Sequence, residues 1–101
     1  MSYIVTLLYP VGQKPFDLNY YLKNHMTLVQ KRWAQYGLQD WEVVKLDPAG
    51  GNQIKCILRF KDEAGRAKAS GDKDDIVADI PNYTDTKPTI NQGISVGTGK
   101  N

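Results

Sequence analysis

Apolar and polar positions change their period along the chain, and each change predicts an element. Residues Ser2 to Tyr9 (SYIVTLLY) are β-branched and aromatic and stop at Pro10 and Gly12, which predicts a strand covered on both faces. Pro10 to Pro15 is a turn-rich link. Phe16 to Gly37 then reads as one long amphipathic helix, opened by Asp17 as N-cap and closed by Gly37 just past its end. At about 100° per residue, Leu18, Tyr21, Leu22, Leu28, Val29, Trp33 and Tyr36 share one side, and His25 lies near the middle of that stripe. Asn19, Lys23, Asn24, Gln30, Lys31 and Gln35 make the solvated side. Period two returns over Leu38 to Leu46, with Trp41, Val43 and Lys45 pointing one way and Glu42, Val44 and Leu46 the other. Asp47 to Asn52 (DPAGGN) is the strongest turn signal and predicts a hairpin loop. Its partner strand, Gln53 to Lys61, carries Ile54, Cys56, Leu58 and Phe60 on one face.

Asp62 caps a second, weaker helix over EAGRAKAS, where Gly65 and Gly71 each cost about 1 kcal/mol relative to alanine. Asp72 to Ile80 continues it after a break, packing through Ile76, Val77 and Ile80. Pro81 to Asp85 is a loop, and Pro88 to Gly97 is a last strand with Ile90, Gln92, Ile94 and Val96 in alternation. Residues 97–101 form a frayed tail. The order β-α-β-β-α-β predicts an α+β, ferredoxin-like sandwich: one domain over residues 1–101, a four-stranded antiparallel sheet with both helices on one face. Helices then cover one sheet face while the strands are apolar on both. A single copy would leave a large apolar face in water, so the expectation is a homodimer joined through the open sheet faces around a barrel-like interior.

Bulk composition narrows the partners. At 41% hydrophobic and 24% charged, with a mean hydropathy of −0.50, the chain has the balance of an ordinary globular domain. A net charge of +2 with scattered Lys and Arg gives no electrostatic footprint, so neither nucleic acid nor membrane is expected as a partner. The run Tyr3 to Tyr9 is too short to span a bilayer and lacks a basic flank, so no signal peptide is read and the expected location is cytoplasmic. One cysteine, Cys56, and one histidine, His25, rule out an internal disulfide and a Cys/His zinc cluster.

An imidazole on the buried face of the most apolar helix needs a partner or lines a cavity. In one reading His25 is a core residue bonded to a carbonyl or to Tyr21 or Thr27; in the other it faces a pocket as acid, base or hydrogen-bond donor. The six tyrosines and two tryptophans offer a similar choice. Tyr9, Tyr20, Tyr21, Tyr36, Tyr83, Trp33 and Trp41 either line a pocket for a flat aromatic ligand or build the core. Gln92 among Ile90, Ile94 and Val96 needs a polar partner. Lys45, Lys55 and Arg59 reach either an anionic ligand or solvent at a sheet edge. Asp79 and Asp85, flanking Pro81, either orient a basic group or serve the turn. Phosphate loops, dinucleotide fingerprints and nucleophile elbows do not occur, and no HExxH is present. Cys56 sits mid-strand on an apolar face, where a free thiol is inert packing. Any catalysis runs on one histidine, tyrosines, tryptophans and carboxylates, without metal or cofactor.

Two stretches carry a resemblance. Phe16-Asp17 with Tyr20-Tyr21, His25 and Leu28-Val29 is similar to the F-D-x-x-Y-Y/W-x-x-x-H-x-P-L-V signature of the EthD family, within the dimeric α+β barrel superfamily. Asp79-Ile80-Pro81-Asn82-Tyr83-Thr84-Asp85 with Pro88 resembles the family's D-I/V-P-N-F/Y-T-D-x-x-P segment. Trp33, Tyr36-Gly37-Leu38 and Trp41-Glu42-Val43 extend the match over essentially the whole chain. The resemblance implies the same fold and sheet-to-sheet homodimer, and places the family's histidine on His25. By analogy with the superfamily, it puts a pocket between sheet and helices, near His25 and the Pro81 to Thr84 loop. The site expected is His25 as catalytic residue, with Tyr9, Tyr21, Val29, Trp41, Tyr83 and Gln92 binding substrate. One departure is Thr27 where the family has proline, which lets the helix run on. The implied function is a cofactor-independent enzyme of decarboxylase, dehydratase or oxidase/monooxygenase type, acting on a small apolar, aromatic or polyketide-like molecule. The alternatives are a non-catalytic ligand-binding or auxiliary protein and, third, haem held through His25.

Overall fold

A computed structural model of the chain describes residues 2–101; Met1, the first residue of the expected single domain, lies outside the described residues. Strands β1 (Tyr3–Pro10), β2 (Leu38–Lys45), β3 (Asn52–Phe60) and β4 (Thr89–Ile94) form one antiparallel sheet in the order β2-β3-β1-β4. The expected α+β sandwich is the observed one. Central strands β1 and β3 pair along their length, Val5 opposite Leu58 and Leu7 opposite Cys56. Their alternate residues Tyr3, Val5, Tyr9, Ile54, Cys56, Leu58 and Phe60 are buried against the helical layer. Helices α1 (Leu18–Tyr20) and α2 (Met26–Trp33) flank a π turn (Tyr21–His25), and a 3-10 turn (Ala34–Tyr36) follows. The second helical unit comprises α3 (Glu63–Ser70), α4 (Asp74–Asp79) and a 3-10 turn over Ile80–Asn82.

Local chemistry sets the ends. The Asp17 carboxylate accepts from the Tyr20 N–H at 3.0 Å, and the Asp62 carboxylate accepts from the Gly65 N–H at 2.8 Å, each satisfying an orphan donor of a first turn. Gly37 ends the long helix at φ 91°, a left-handed conformation that glycine adopts without a Cβ clash.

Four expectations need correction. The long helix is not uniform: the Met26 N–H bonds back to the Tyr21 carbonyl, one residue further than in an α-helix. The turn breaks the regular repeat locally: Tyr21, His25 and Met26 are buried, while Leu22, placed on the buried stripe, is exposed. Val77, expected to pack, is also exposed, because α4 presents Ile76 instead. The last strand is shorter than read, and its inner-facing Ile90 and Ile94 remain 52% and 55% exposed because β4 lies at the sheet edge. Finally, β1 is not covered on both faces within one chain: Ile4, Thr6 and Leu8, with Val44 and Ile57 beside them, lie half-buried on the sheet face opposite the helices.

The tail after β4, with Val96 87% exposed, and the uncovered sheet face both add to the accessible area. The accessible surface is 6517 Å², against about 5,700 Å² expected for a folded monomer of this mass. The molecule is a flat slab of 38 × 36 × 20 Å. Among the described residues, no helix is long and apolar enough to cross a membrane.

Candidate functional site

His25 is the last residue of the π turn and is 4% exposed. The π turn keeps it on the same face as Tyr21, four residues earlier, and the two rings stack at 5.3 Å and 14°. Thr27, two residues on, donates its hydroxyl to the Lys23 carbonyl at 2.7 Å. The helix therefore runs through this position, as the replacement of proline by threonine predicts.

Three other segments converge on the imidazole. Asp79, the last residue of α4, places Oδ2 2.9 Å from His25 Nδ1. Its other oxygen accepts from the Tyr20 hydroxyl at 2.6 Å and from the Asn82 side-chain amide at 2.9 Å. Tyr83, just after the 3-10 turn, brings its hydroxyl 3.4 Å from His25 Nε2 and 2.7 Å from the Tyr9 hydroxyl of β1. Phe16 closes the group edge-on to Tyr9 and Tyr21, with centroids at 5.3 and 5.1 Å. The start of the helix and the loop before β4 are joined by the backbone as well, the Asp17 N–H donating to the Tyr83 carbonyl at 2.9 Å.

The electrostatics follow from burial. Desolvation lowers the His25 pKa below the ordinary 6.5 although Asp79 pulls the other way, so the imidazole is neutral near pH 7. Burial alone raises the Asp79 carboxyl, but the bonds from Tyr20, Asn82 and His25 outweigh it and hold the group below its usual range. Burial pushes Tyr9 up to about 12, and raises Tyr83 further with help from Tyr9. Both phenols are therefore protonated at neutral pH. The Cys56 thiol is pushed up to about 11 by burial, which fits an inert core residue.

The arrangement is an oriented imidazole. A carboxylate fixes one nitrogen, and the other faces a phenol at a distance beyond the usual 2.7–3.2 Å range of an N/O hydrogen bond. Proton transfer between Nε2 and a phenol or a ligand group is the chemistry it offers. An open cleft of about 580 Å³ adjoins the group, walled by Lys14, Pro15, Asp17 and Pro81 to Asp85; it shares Tyr83 with the network, whereas His25 stays beneath. Asp17 and Asp85 in this cleft already serve backbone N–H groups, Asp85 accepting from Gln13 and Lys14 at 3.1 and 3.2 Å.

Of the residues expected at the site, the structure brings together His25, Tyr9, Tyr21 and Tyr83. Val29 is buried one turn along α2 as part of the core. Trp41 is bonded elsewhere, its indole N–H donating to Gln30 at 2.9 Å. Gln92 is exposed on edge strand β4 and accepts from the Arg66 guanidinium at 3.0 Å. Asp79 takes the orienting option left open for it, while Asp85 takes the turn option. Tyr20 and Asn82 join the network without having been assigned to the site. The signal for Asp79 and Asn82 lay in the Asp79-Ile80-Pro81-Asn82-Tyr83 motif itself.

No protein-family model matches the sequence, and no curated protein matches it. Solved structures do. An EthD-like protein from Ralstonia eutropha JMP134 superposes with a TM-score of 0.77 at 24% identity, over 91% of this chain and 89% of that chain. An EthD family protein from Bacillus halodurans C-125 gives 0.72 at 18% identity, over 95% of this chain and 100% of that one. A dimeric ferredoxin-like protein from an uncultured marine organism gives 0.70 at 14% identity with full coverage of both chains. At these identities the likeness shows a common fold.

Proposed function

We propose that the chain is an EthD-type protein that works as a homodimer and acts, without a cofactor, on a small apolar or aromatic molecule. In this reading His25 is the acid–base group, and Tyr21 and Tyr83 form the walls around it. The observation that carries it is the Asp79–His25 pair. Oδ2 lies 2.9 Å from Nδ1, while Nε2 has only a long 3.4 Å approach from Tyr83. A buried histidine held by a half-buried carboxylate brings little net stability, and oriented pairs of this kind cluster at functional sites, which favours a chemical task. Proton transfer is the step such a network supplies, which favours lyase-type chemistry on a carboxylic acid or alcohol. The dimer reading is supported by Ile4, Leu8, Val44 and Ile57 on the open sheet face, which they share with Asp40, Glu42, Lys55 and Arg59, and by the dimeric state ascribed to one structural neighbour.

A second reading, a non-catalytic ligand carrier or auxiliary protein, is favoured by one specific observation: His25 is 4% exposed and both ring nitrogens face protein groups. The two readings separate in one comparison. Wild type and His25→Ala are incubated with a panel of aromatic and β-keto carboxylic acids, with product mass and thermal shift as readouts. The enzyme reading expects a mass change with wild type that is lost in the variant while fold and dimer persist. Thermal shifts without any mass change, equal in both proteins, leave the carrier reading in its place.

A further inference from the structure

Asp79 accepts from three donors. Oδ2 faces His25 Nδ1 at 2.9 Å. Oδ1 accepts from the Tyr20 hydroxyl at 2.6 Å and the Asn82 amide at 2.9 Å. An ionised carboxylate has only acceptors to offer, so all three contacts place hydrogen on the partner. Nδ1 must then carry the imidazole proton, and Nε2 is bare. Among the described residues, the Tyr83 hydroxyl lies 3.4 Å from Nε2 and 2.7 Å from the Tyr9 hydroxyl. The proton on Nδ1 therefore points toward the carboxylate, and Nε2 keeps its lone pair.

We propose that Tyr20 and Asn82 are positioning residues of this site: by donating to Oδ1 they hold Asp79 ionised and draw its charge away from Oδ2, which keeps His25 a neutral base with Nε2 free. The inference rests on the reading of His25 as the acid–base group but is tested on the ring itself. The groups facing His25 support it from each side. Tyr21 stacks on it from the π turn, Tyr83 approaches from the loop before β4, and Asp79 reaches it from α4. These neighbours include no cation and no second carboxylate, so the share of Asp79's charge that reaches Nδ1 is the adjustable quantity. A donor at Oδ1 competes for that charge. Removing one strengthens the hold of Oδ2 on the imidazolium and makes His25 easier to protonate.

The sign of the effect separates this role from a merely structural one. If Tyr20 only packed, its removal would leave the His25 titration where it is. If Tyr20 only kept Asp79 from swinging away, its removal would lower the titration further, because His25 would lose its carboxylate. Nitrogen-15 NMR of the histidine-labelled full chain reads both the tautomer and the titration. The wild type is expected as the Nδ1–H tautomer titrating below 6.5. Tyr20→Phe, which keeps the ring, and Asn82→Ala, at an exposed position, are each expected to shift the titration to higher pH with the tautomer unchanged. Asp79→Asn is expected to shift it lower and to mix the tautomers. An unmoved or lowered midpoint in both Tyr20→Phe and Asn82→Ala overturns the proposal, as does an Nε2–H tautomer in the wild type. Because no substrate enters the experiment, these results stand or fall separately from the outcome of the activity panel.

Discussion

The chemistry of single residues is where the chain departs most from an ordinary core. A buried imidazole held by a half-buried carboxylate costs desolvation, and here the pair is met by the Tyr20 hydroxyl, the Asn82 amide, the Tyr83 hydroxyl and the stacked Tyr21 ring. The consequence is a pH dependence with a definite sign. Since burial lowers the His25 pKa, the unfolded chain takes up a proton below about 6.5 that the folded chain still refuses. The contribution of His25 to stability is then full above that pH and falls as pH drops toward the folded value, by at most about 1.4 kcal/mol per pH unit. Asp79, held low, loses its contribution only at still lower pH, below its ordinary 3.8. Urea unfolding between about pH 7.5 and 5.5, at fixed protein concentration because the proposed homodimer would make stability concentration-dependent, should show this decline in wild type and its absence in His25→Gln. Equal slopes would contradict the assignment. At this scale the sequence was informative about identity and less so about partners. His25, Tyr21, Tyr83 and Tyr9 stand out by stripe and motif. Asp79 lies 54 residues from His25, a distance over which periodicity says nothing. Trp41, expected as an aromatic wall, and Gln92, expected as a polar group among apolar neighbours, are placed by a strand pattern on a face but not at a position across the sheet. Both sit on edge strands.

At the scale of elements, the first three strands and the turns followed from alternation and turn chemistry, the last strand was placed but drawn too long, and the two aspartate caps were legible because an N-cap is a local signal. The π turn was not legible, since a stripe drawn at a constant angle assumes the regular α repeat; Leu22 and Met26 exchange roles as a result. The helix α3 holds a second lesson. Gly65 reads as a weakness in a helix interior, yet a Cβ built there would lie 2.0 Å from the Tyr36 carbonyl oxygen. The glycine is what lets α3 approach the end of the long helix so closely. Helix propensity alone predicts that Gly65→Ala gains about 1 kcal/mol. The packing predicts the reverse, a loss of about 1–3 kcal/mol from overpacking against backbone that cannot retreat. Denaturant titration of the single variant decides, and a stabilised Gly65→Ala would refute the close-approach account.

For the whole molecule, the apolar residues that the helices leave uncovered are as informative as the core. Ile4, Leu8, Val44 and Ile57 share the open sheet face with Asp40, Glu42, Lys55 and Arg59, an apolar centre with charges beside it. Sedimentation should give twice the 11.3 kDa chain mass. Ile57→Lys, which puts a charge in the centre of that face, should shift the protein to monomer without unfolding it; an unaltered dimer would move the interface elsewhere. The fold was legible at this scale because six elements in sequence admit few antiparallel arrangements, while the reaction was not, since one fold hosts many chemistries. The central claim is that the buried His25 network meets a ligand. Its most direct test is a crystal structure of the protein soaked in phenol, a flat aromatic with one acidic proton, read at His25. The account predicts the phenol oxygen within hydrogen-bond distance of Nε2, with Tyr83 displaced and Asp79 still on Nδ1. A ring that stays closed off, with phenol absent from it and both nitrogens on protein partners, would contradict it and leave His25 a structural residue.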